Sequence, residues 1–398
     1  MRIDPSSHFG RHLRHRFRGI ALAGVAVAAT SACTTPSPYP ERATLPSMET
    51  AYALPTERCG DYLVVQTRID GAGPFPLLLD SGAGRTILDP HVVAEAGLGR
   101  TIDSLAMGEY VVREFGYGTL DMEELSSALG RRIDGILGHP VFAGVLLEWD
   151  VHRGTVAVSA GSLDPSDPGV VPAREHRRPF VGSIVGTDTL WVLIDTGSSH
   201  GLTLRDPDRF EYLTPLEVTG ARTRVDGVHL VRSGRLAGEV RIGPMRVDRP
   251  VVVNSVSVDL VGQDVLRHFR ITFDQVNDLI RFQRPDAALE TPEGSPPVRT
   301  LGVGLGPHPD HAEVVHVVDG GPAEGRLREG DRIVAMDGTP WSERGCSDPD
   351  APLEEGIVEV LVVREGDTLR VDVPARVLHR VPADDSVAPP VSGSRSGR

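Results

Sequence analysis

Two aspartates, Asp80 and Asp195, each end a short apolar run and precede a hydroxyl residue and a glycine. The matching segments are Leu77-Leu78-Leu79-Asp80-Ser81-Gly82-Ala83 and Val192-Leu193-Ile194-Asp195-Thr196-Gly197-Ser198. A single carboxylate at a strand end is ordinary, but two held face to face can share one proton. One member could then take a proton from water while the other donates one, which is hydrolytic chemistry.

The similarity continues beyond these segments, and the later landmarks recur in the same order. Asp134–Gly138 corresponds to Val258–Gly262, and Leu146–Asp150 corresponds to Arg270–Asp274. The second member of each pair lies between 115 and 124 positions after the first. This regular spacing predicts a duplicated unit, with a first copy around Asp80 and a second copy around Asp195.

The elements that must position the two aspartates are predicted to be mostly β-strands. Short apolar runs lie between turn residues, as in Tyr62–Val65, Val156–Val158, Val181–Val185 and Val251–Val253. Within each aspartate segment, the glycine allows a tight turn and the hydroxyl residue can bond the neighbouring backbone.

This pattern resembles the retropepsin-like and pepsin-like aspartic proteases. The likeness rests on Asp-(Ser/Thr)-Gly followed by two apolar residues and glycine in both copies. It implies an all-β dominated fold with two pseudo-twofold-related lobes, 56–162 and 170–287. Asp80 and Asp195 would be the catalytic pair. The loops that carry them would be supported by Ser81, Gly82, Ala83, Thr196, Gly197 and Ser198. The implied activity is endopeptidase cleavage of an extended peptide, with no metal or organic cofactor.

The second copy carries about twenty extra residues, from around Glu217 to Val240, compared with the first. Their length suits a long β-hairpin with Asp226-Gly227 as its turn. Members of the family cover bound substrate with one or two hairpin flaps. We therefore expect a single flap, supplied by the second lobe, and expect deletion of Thr223–Arg235 to abolish peptide cleavage without unfolding the core.

The region 297–379 resembles a bacterial protease-associated PDZ domain. Its signals include Leu301-Gly302-Val303 and Gly330-Asp331-Arg332-Ile333-Val334, after a linker rich in proline at Thr291–Pro297. The resemblance implies that Leu301, Gly302 and Val303 bind a peptide carboxylate and that the peptide adds as a strand. The alternative is a module that only packs on the protease or mediates assembly. The tail, 380–398, is predicted to be disordered.

Residues 1–33 are predicted to be a targeting segment, with a basic start and a short apolar run, Ile20–Ala29. Its end, Thr30-Ser31-Ala32-Cys33, resembles a bacterial lipobox, which implies lipidation of Cys33. An ordinary cleaved signal peptide is the alternative. Residues 34–55 are predicted to be a flexible tether. Together these features predict export to the bacterial cell envelope, facing the periplasm, with a lipid as the only membrane anchor.

Composition excludes some partners. A net charge of −14 argues against nucleic-acid binding, which needs clustered positive charge. Cys59 and Cys346 lie in different predicted domains, so no disulfide is expected. His308 and His311 lack a third ligand nearby and are assigned to a surface loop. We expect a monomer.

Two other functions are compatible with the sequence. In the first, a non-catalytic relative uses its cleft and its PDZ domain to bind peptides as an envelope scaffold. In the second, the lobes need a partner or a cleavage to become active. Retention of Asp-(Ser/Thr)-Gly in both copies favours catalysis, because binding alone does not require two carboxylates.

Overall fold

The computed structural model describes residues 35–150, 153–224, 227–255, 257–284, 296–346 and 354–381. It is dominated by β-strands, which confirms the mostly-β prediction. The predicted targeting segment with Cys33, most of the predicted linker, Asp226 of the predicted turn, and 382–398 of the predicted tail lie outside the described residues.

The first copy and the residues before it form these elements: β1 (Arg42–Thr44), β2 (Tyr52–Ala53), β3 (Thr56–Cys59), β4 (Tyr62–Ile69), β5 (Ala72–Asp80), β6 (Ile87–Leu88), α1 (Pro90–Glu95), β7 (Thr101–Met107), β8 (Tyr110–Gly116), β9 (Gly118–Thr119), α2 (Glu123–Leu129), β10 (Gly135–Gly138), β11 (Leu146–Asp150) and β12 (Thr155–Ser159).

The second copy forms these: β13 (Val170–Arg174), β14 (Phe180–Val185), β15 (Asp188–Ile194), β16 (Leu202–Leu204), β17 (Tyr212–Arg224), β18 (Gly227–Leu236), β19 (Glu239–Ile242), β20 (Met245–Asp248), β21 (Val251–Asn254), β22 (Leu260–Val261), α3 (Gln263–Leu266), β23 (Arg270–Asp274) and β24 (Leu279–Gln283). The C-terminal region forms β25 (Val298–Thr300), β26 (Val303–Pro307), β27 (Ala312–Val317), β28 (Arg332–Met336), β29 (Thr339–Pro340), β30 (Gly356–Arg364) and β31 (Asp367–Leu378). Single turns of 3₁₀-helix lie at His139–Phe142, Pro207–Arg209 and Trp341–Glu343.

Three sheets contain these strands. The first sheet has nine strands, β1 and β3–β10, and the second has fifteen, β2 and β11–β24. The third sheet has seven strands, β25–β31. The strand leading to Asp80, β5, pairs in parallel with β10, and the strand leading to Asp195, β15, pairs in parallel with β22. The duplicated sequence therefore forms a duplicated topology.

The two copies are joined along a local twofold axis. Their third landmarks, β11 and β23, pair with each other in antiparallel register. Glu148 lies opposite Thr272, which is its own counterpart in the second copy. A twofold axis relates each residue of one copy to its counterpart in the other. Two equivalent antiparallel strands that meet on this axis must therefore place a residue opposite its own counterpart.

The buried apolar residues fall into separate groups. One cluster runs through both copies and includes Leu79, Trp149, Ile194 and Phe273. The third sheet has its own core, which includes Val314, Ile333, Val360 and Trp341. Since burial of apolar area is the main stabilising contribution to folding, each region has the core that a folded unit requires.

Two expectations from the sequence are wrong. Cys59 and Cys346 form a disulfide between β3 and the third-sheet region, with Cα atoms 5.0 Å apart. The pairing was missed because 287 positions separate the cysteines in sequence and only the packing of β3 beside 344–346 brings them together. The predicted tether is also shorter than expected: β1 pairs with β8, and β2 pairs with β12, so residues within 34–55 belong to the sheets.

The second copy contains the long hairpin, which we define as β17 and β18, Tyr212–Leu236. It begins and ends several residues before the predicted segment, Glu217–Val240. A shorter hairpin, β19–β20, follows it and corresponds to β7–β8 of the first copy. The long hairpin is therefore an insertion that the first copy lacks.

Candidate active site

Asp80 and Asp195 lie at equivalent positions of the two copies. Asp80 is the last residue of β5 and lies beside Gly138 of β10, and Asp195 follows β15 directly. The backbone N–H of Asp195 donates to the carbonyl of Val261 on β22. Each aspartate thus lies at the end of a strand, where the backbone turns. This position places both carboxyl groups at the twofold axis.

Reciprocal hydrogen bonds lock the two aspartate loops together. The Ser81 N–H donates to Thr196 Oγ1 at 2.9 Å, and the Thr196 N–H donates to Ser81 Oγ at 3.0 Å. Ser81 Oγ also donates to the carbonyl of Ile194 at 2.6 Å. Both hydroxyl residues are buried, so these bonds satisfy groups that water cannot reach. The predicted supporting hydroxyls therefore hold the opposite loop rather than their own.

The glycines of the loops are needed for a close approach. A Cβ added to Gly82 would lie 2.6 Å from Asp195 Cγ, and one added to Gly197 would lie 2.6 Å from Asp80 Oδ2. Each glycine also donates its N–H to its own aspartate: Gly82 to Asp80 Oδ1 at 2.7 Å and Gly197 to Asp195 Oδ1 at 2.9 Å. Any side chain at either position would push the opposite carboxyl group away.

The remaining predicted support residues, Ala83 and Ser198, anchor the loops to the segments that thread beside them. The Ala83 carbonyl accepts from the His139 N–H at 3.0 Å, and the Ser198 carbonyl accepts from the Gln263 N–H at 2.8 Å. The Ala83 N–H also donates to Asp80 Oδ1. All eight residues singled out in the two segments thus participate in one symmetrical arrangement.

The two carboxyl groups are hydrogen-bonded to each other and share an environment that disfavours two negative charges. Burial raises the pKa of Asp80, although the N–H groups of Gly82 and Ala83 oppose this rise. Burial also raises the pKa of Asp195, and the charge of Asp80 raises it further. One proton is therefore shared between the two groups over a pH range in which isolated carboxyls are ionised.

Two side chains near the pair were not identified from the sequence. Tyr62 of β4 bonds the side chain of Ser199 and lies near both carboxylates, whose charges raise its pKa in addition to the larger effect of burial. Arg178 precedes β14, and its charge partly counteracts the rise in the Asp195 pKa. No local motif marks either residue, because both come from strand or loop segments outside the repeated tripeptides.

The long hairpin reaches both copies. Arg222 of β17 lies in a recess with Ser198 and His200 of the second aspartate loop. Burial, together with the charge of Arg222, lowers the pKa of His200 to about 4. Arg222 also borders a cavity that includes Ile136 of β10, whose strand pairs with β5. The hairpin therefore extends from the second copy to the first at the side of the aspartate pair.

This apolar cavity has a volume of about 550 Å³. Four parts of the chain form its walls: the α2 region, Ile136 of β10, Arg222 of the long hairpin, and the third sheet with Trp341. The lining residues are Leu120, Asp121, Met122, Glu124, Leu125, Ala128, Ile136, Arg222, Leu305, Pro307 and Trp341. Neither aspartate lines it, so this cavity is separate from the carboxyl pair.

The predicted carboxylate-binding loop, Leu301-Gly302-Val303, lies between β25 and the start of β26. Gly302 has a positive φ of 70°, and its N–H donates to Thr300 Oγ1 at 2.9 Å. Its carbonyl accepts from the Val318 N–H. The amide of Gly302 is thus already bonded within the chain.

Among the described residues, no group of three or more His, Cys, Asp and Glu side chains could hold a metal ion. The rings of His308 and His311 stack with their centroids 4.5 Å apart. Within the same residues, no helix is both long enough and apolar enough to cross a membrane.

No family model matches the sequence. No curated protein matches it either. Among solved structures, the chain is similar to a retropepsin-like aspartic protease from Rickettsia conorii, with 18% sequence identity and a TM-score of 0.23. The match covers 28% of this chain and 94% of that one.

Proposed function

We propose that this protein is an aspartic endopeptidase with two retropepsin-like lobes in one chain and a C-terminal PDZ domain. One observation carries the proposal: Asp80 and Asp195 meet at the local twofold axis, hydrogen-bonded to each other and held by matching loops. A packing role alone would not favour two buried carboxyl groups in contact, because their mutual repulsion must be overcome by a shared proton.

The reaction follows from the shared proton. The ionised carboxyl takes a proton from a water molecule, and the resulting hydroxide equivalent attacks the carbonyl carbon of the scissile peptide bond. The protonated carboxyl stabilises the developing oxyanion and then delivers its proton to the leaving nitrogen. The N–H groups of Gly82 and Gly197 stay bonded to the carboxylates and hold them in place.

The substrate is an extended peptide or protein segment that lies between the lobes under the long hairpin. A side chain next to the scissile bond would enter the apolar cavity, whose walls suit a bulky apolar group. Arg222 borders the cavity and also the second aspartate loop, so it connects the two spaces.

The compartment we propose is the bacterial cell envelope, on the periplasmic side, with Cys33 lipidated and a monomeric chain. The disulfide between Cys59 and Cys346 supports an oxidising compartment, because cytosolic thiols are kept reduced. The net charge of −14 supports a protein rather than a nucleic-acid substrate.

A peptide library tests the activity. The full mature chain should cleave peptides, and Asp80→Asn and Asp195→Asn should each reduce kcat/KM about 10²- to 10⁴-fold. Asp103→Asn, an exposed residue of β7, is the matched control and should retain wild-type activity. Equal background in the wild type and both dyad variants would refute the proposal. Tight peptide binding without cleavage would instead support the non-catalytic scaffold.

A further inference from the structure

The long hairpin packs closely against β26, the edge strand of the third sheet. Strand β26 is the last strand of this sheet, with β27 on one side. On the other side it meets β17: a Cβ added to Gly304 would lie 2.6 Å from the Cβ of Ala221, and one added to Gly220 would lie 3.3 Å from the Val303 carbonyl oxygen. Backbones approach this closely only where side chains are small or absent.

A β-bulge in the hairpin faces β25, the strand that precedes β26 in the chain. The ladder between β17 and β18 skips from Val218 to Gly220, so Thr219 has no opposite residue in β18. Its carbonyl instead accepts a hydrogen bond from Thr300 Oγ1 of β25 at 2.7 Å. A bulge frees backbone groups from the ladder, and here the third sheet takes one of them.

The other end of the third sheet attaches to the base of the same hairpin. His379 directly follows β31, is buried, and lies 2.7 Å from Thr214 Oγ1 through Nδ1 and 3.0 Å from Ser233 Oγ through Nε2. Its carbonyl accepts from Arg235 Nε. Burial and the Arg235 charge lower the pKa of His379 to about 4, so the neutral ring has one donor and one acceptor nitrogen for these two hydroxyls.

These attachments form one surface. Val298 of β25 pairs with Leu378 of β31, so Thr300 and His379 lie on neighbouring strands at one side of the sheet. Together with β26 they contact the hairpin at its base and along β17. A peptide that adds as a strand to β26 would need space that Gly220 and Ala221 now occupy.

We propose that the third sheet holds the long hairpin through the β26 edge, and that an extended peptide with adjacent small residues, pairing with this edge, releases the hairpin. The small-residue requirement follows from Gly220 and Ala221, which occupy the edge in the present state. The effect on catalysis rests on the proposed function, in which the long hairpin covers the bound substrate. The holding contact itself does not depend on catalysis.

Hydrogen exchange of the full chain tests the contact. Gly304→Ala places a methyl against Ala221 and should speed exchange in β17 and β18 about 10-fold or more. Gly356→Ala in β30, where nothing lies within 4 Å of the added Cβ, is the matched control. Thr300→Val, which removes the bond to the Thr219 carbonyl, should act in the same direction as Gly304→Ala. Equal hairpin protection in wild type, Gly304→Ala and Thr300→Val would overturn the proposal.

A peptide probe tests the release. A synthetic peptide with the sequence of residues 216–222 should bind the wild type and speed hairpin exchange as Gly304→Ala does, whereas a scrambled peptide should not. Failure of the peptide to bind, or binding with the hairpin still protected, would contradict the release. The variants and the peptide could speed hairpin exchange in a chain that shows no peptidase activity. This result would refute the proposed function but would support the contact between the third sheet and the hairpin.

Discussion

The closeness of the two aspartate loops makes Gly82→Ala a sharp test of the active-site geometry. The added Cβ would lie 2.6 Å from Asp195 Cγ and Oδ1, whereas ordinary van der Waals contact begins at 3.4 Å. The Asp195 carboxyl must therefore move by roughly 0.8 Å, or the loop must shift by the same amount. Displacements near 1 Å at a reacting group reduce rates by about 10²-fold.

Stability should change much less than activity. Overpacking of one methyl in a close-packed site costs about 1–3 kcal/mol, which leaves a domain of this size folded. We expect kcat/KM for a peptide substrate to fall about 10²-fold while thermal unfolding remains cooperative. Separating the carboxyls should also bring the pKa of Asp195 back toward its ordinary value, because the repulsion from Asp80 weakens. The alkaline limb of the pH–rate profile, which reports loss of the shared proton, should then shift to lower pH.

Gly99→Ala is the matched control. Gly99 belongs to the first copy, and nothing lies within 4 Å of a Cβ added there. It should change neither kcat/KM nor the pH profile. If Gly82→Ala retained kcat/KM within about threefold of wild type, the close approach of Gly82 to Asp195 would not be what positions the two carboxyl groups.

Three further predictions concern protonation, the disulfide and the cavity. The pKa of Asp195 is raised in the folded protein, so the wild type loses stability as the pH rises above about 4, the pKa of an aspartate in the unfolded chain. Asp195→Asn lacks this charge, so its free energy of unfolding relative to the wild type should increase over the same pH range, as measured by urea titrations. Replacing Cys59 and Cys346 with Ser should cost about 2–5 kcal/mol, measured by the same titrations, and a wild type whose stability does not respond to reductant would contradict the pairing. Ala128→Trp should fill the apolar cavity and lower cleavage at bulky apolar residues about 10- to 200-fold relative to small ones in library profiling; an unchanged preference would place that side chain elsewhere.

Much of the aspartate arrangement could be predicted from the sequence. The apolar runs before Asp80 and Asp195 predict strands, and the repeated landmarks predict a duplicated topology, because both depend on local pattern and spacing. The long hairpin was predicted for the same reason, from the extra length of the second copy. Its bounds were displaced by a few residues, since turn signals locate strand ends only approximately.

The contacts that join distant segments could not be predicted. Tyr62 beside the carboxyl pair depends on how β4 packs, and nothing in its neighbourhood marks it. His379 is the last residue of the region predicted to be a PDZ domain, yet it is buried and contacts Thr214 and Ser233 of the long hairpin. Such contacts depend on how whole sheets pack against each other. The residue types around a single position do not indicate which distant segment will lie beside it.

Residue types and their spacing were enough to establish that two like segments each present an aspartate at the end of a strand. Tertiary packing was needed to decide that Ser81 and Thr196 bond across the axis rather than within their own loops, and that each glycine contacts the opposite carboxyl. Packing also decided that the third sheet is tied to β3 by a disulfide and to the long hairpin by His379. The difference arises because residue type and spacing control local backbone conformation, whereas long-range pairing depends on which buried surfaces fit together.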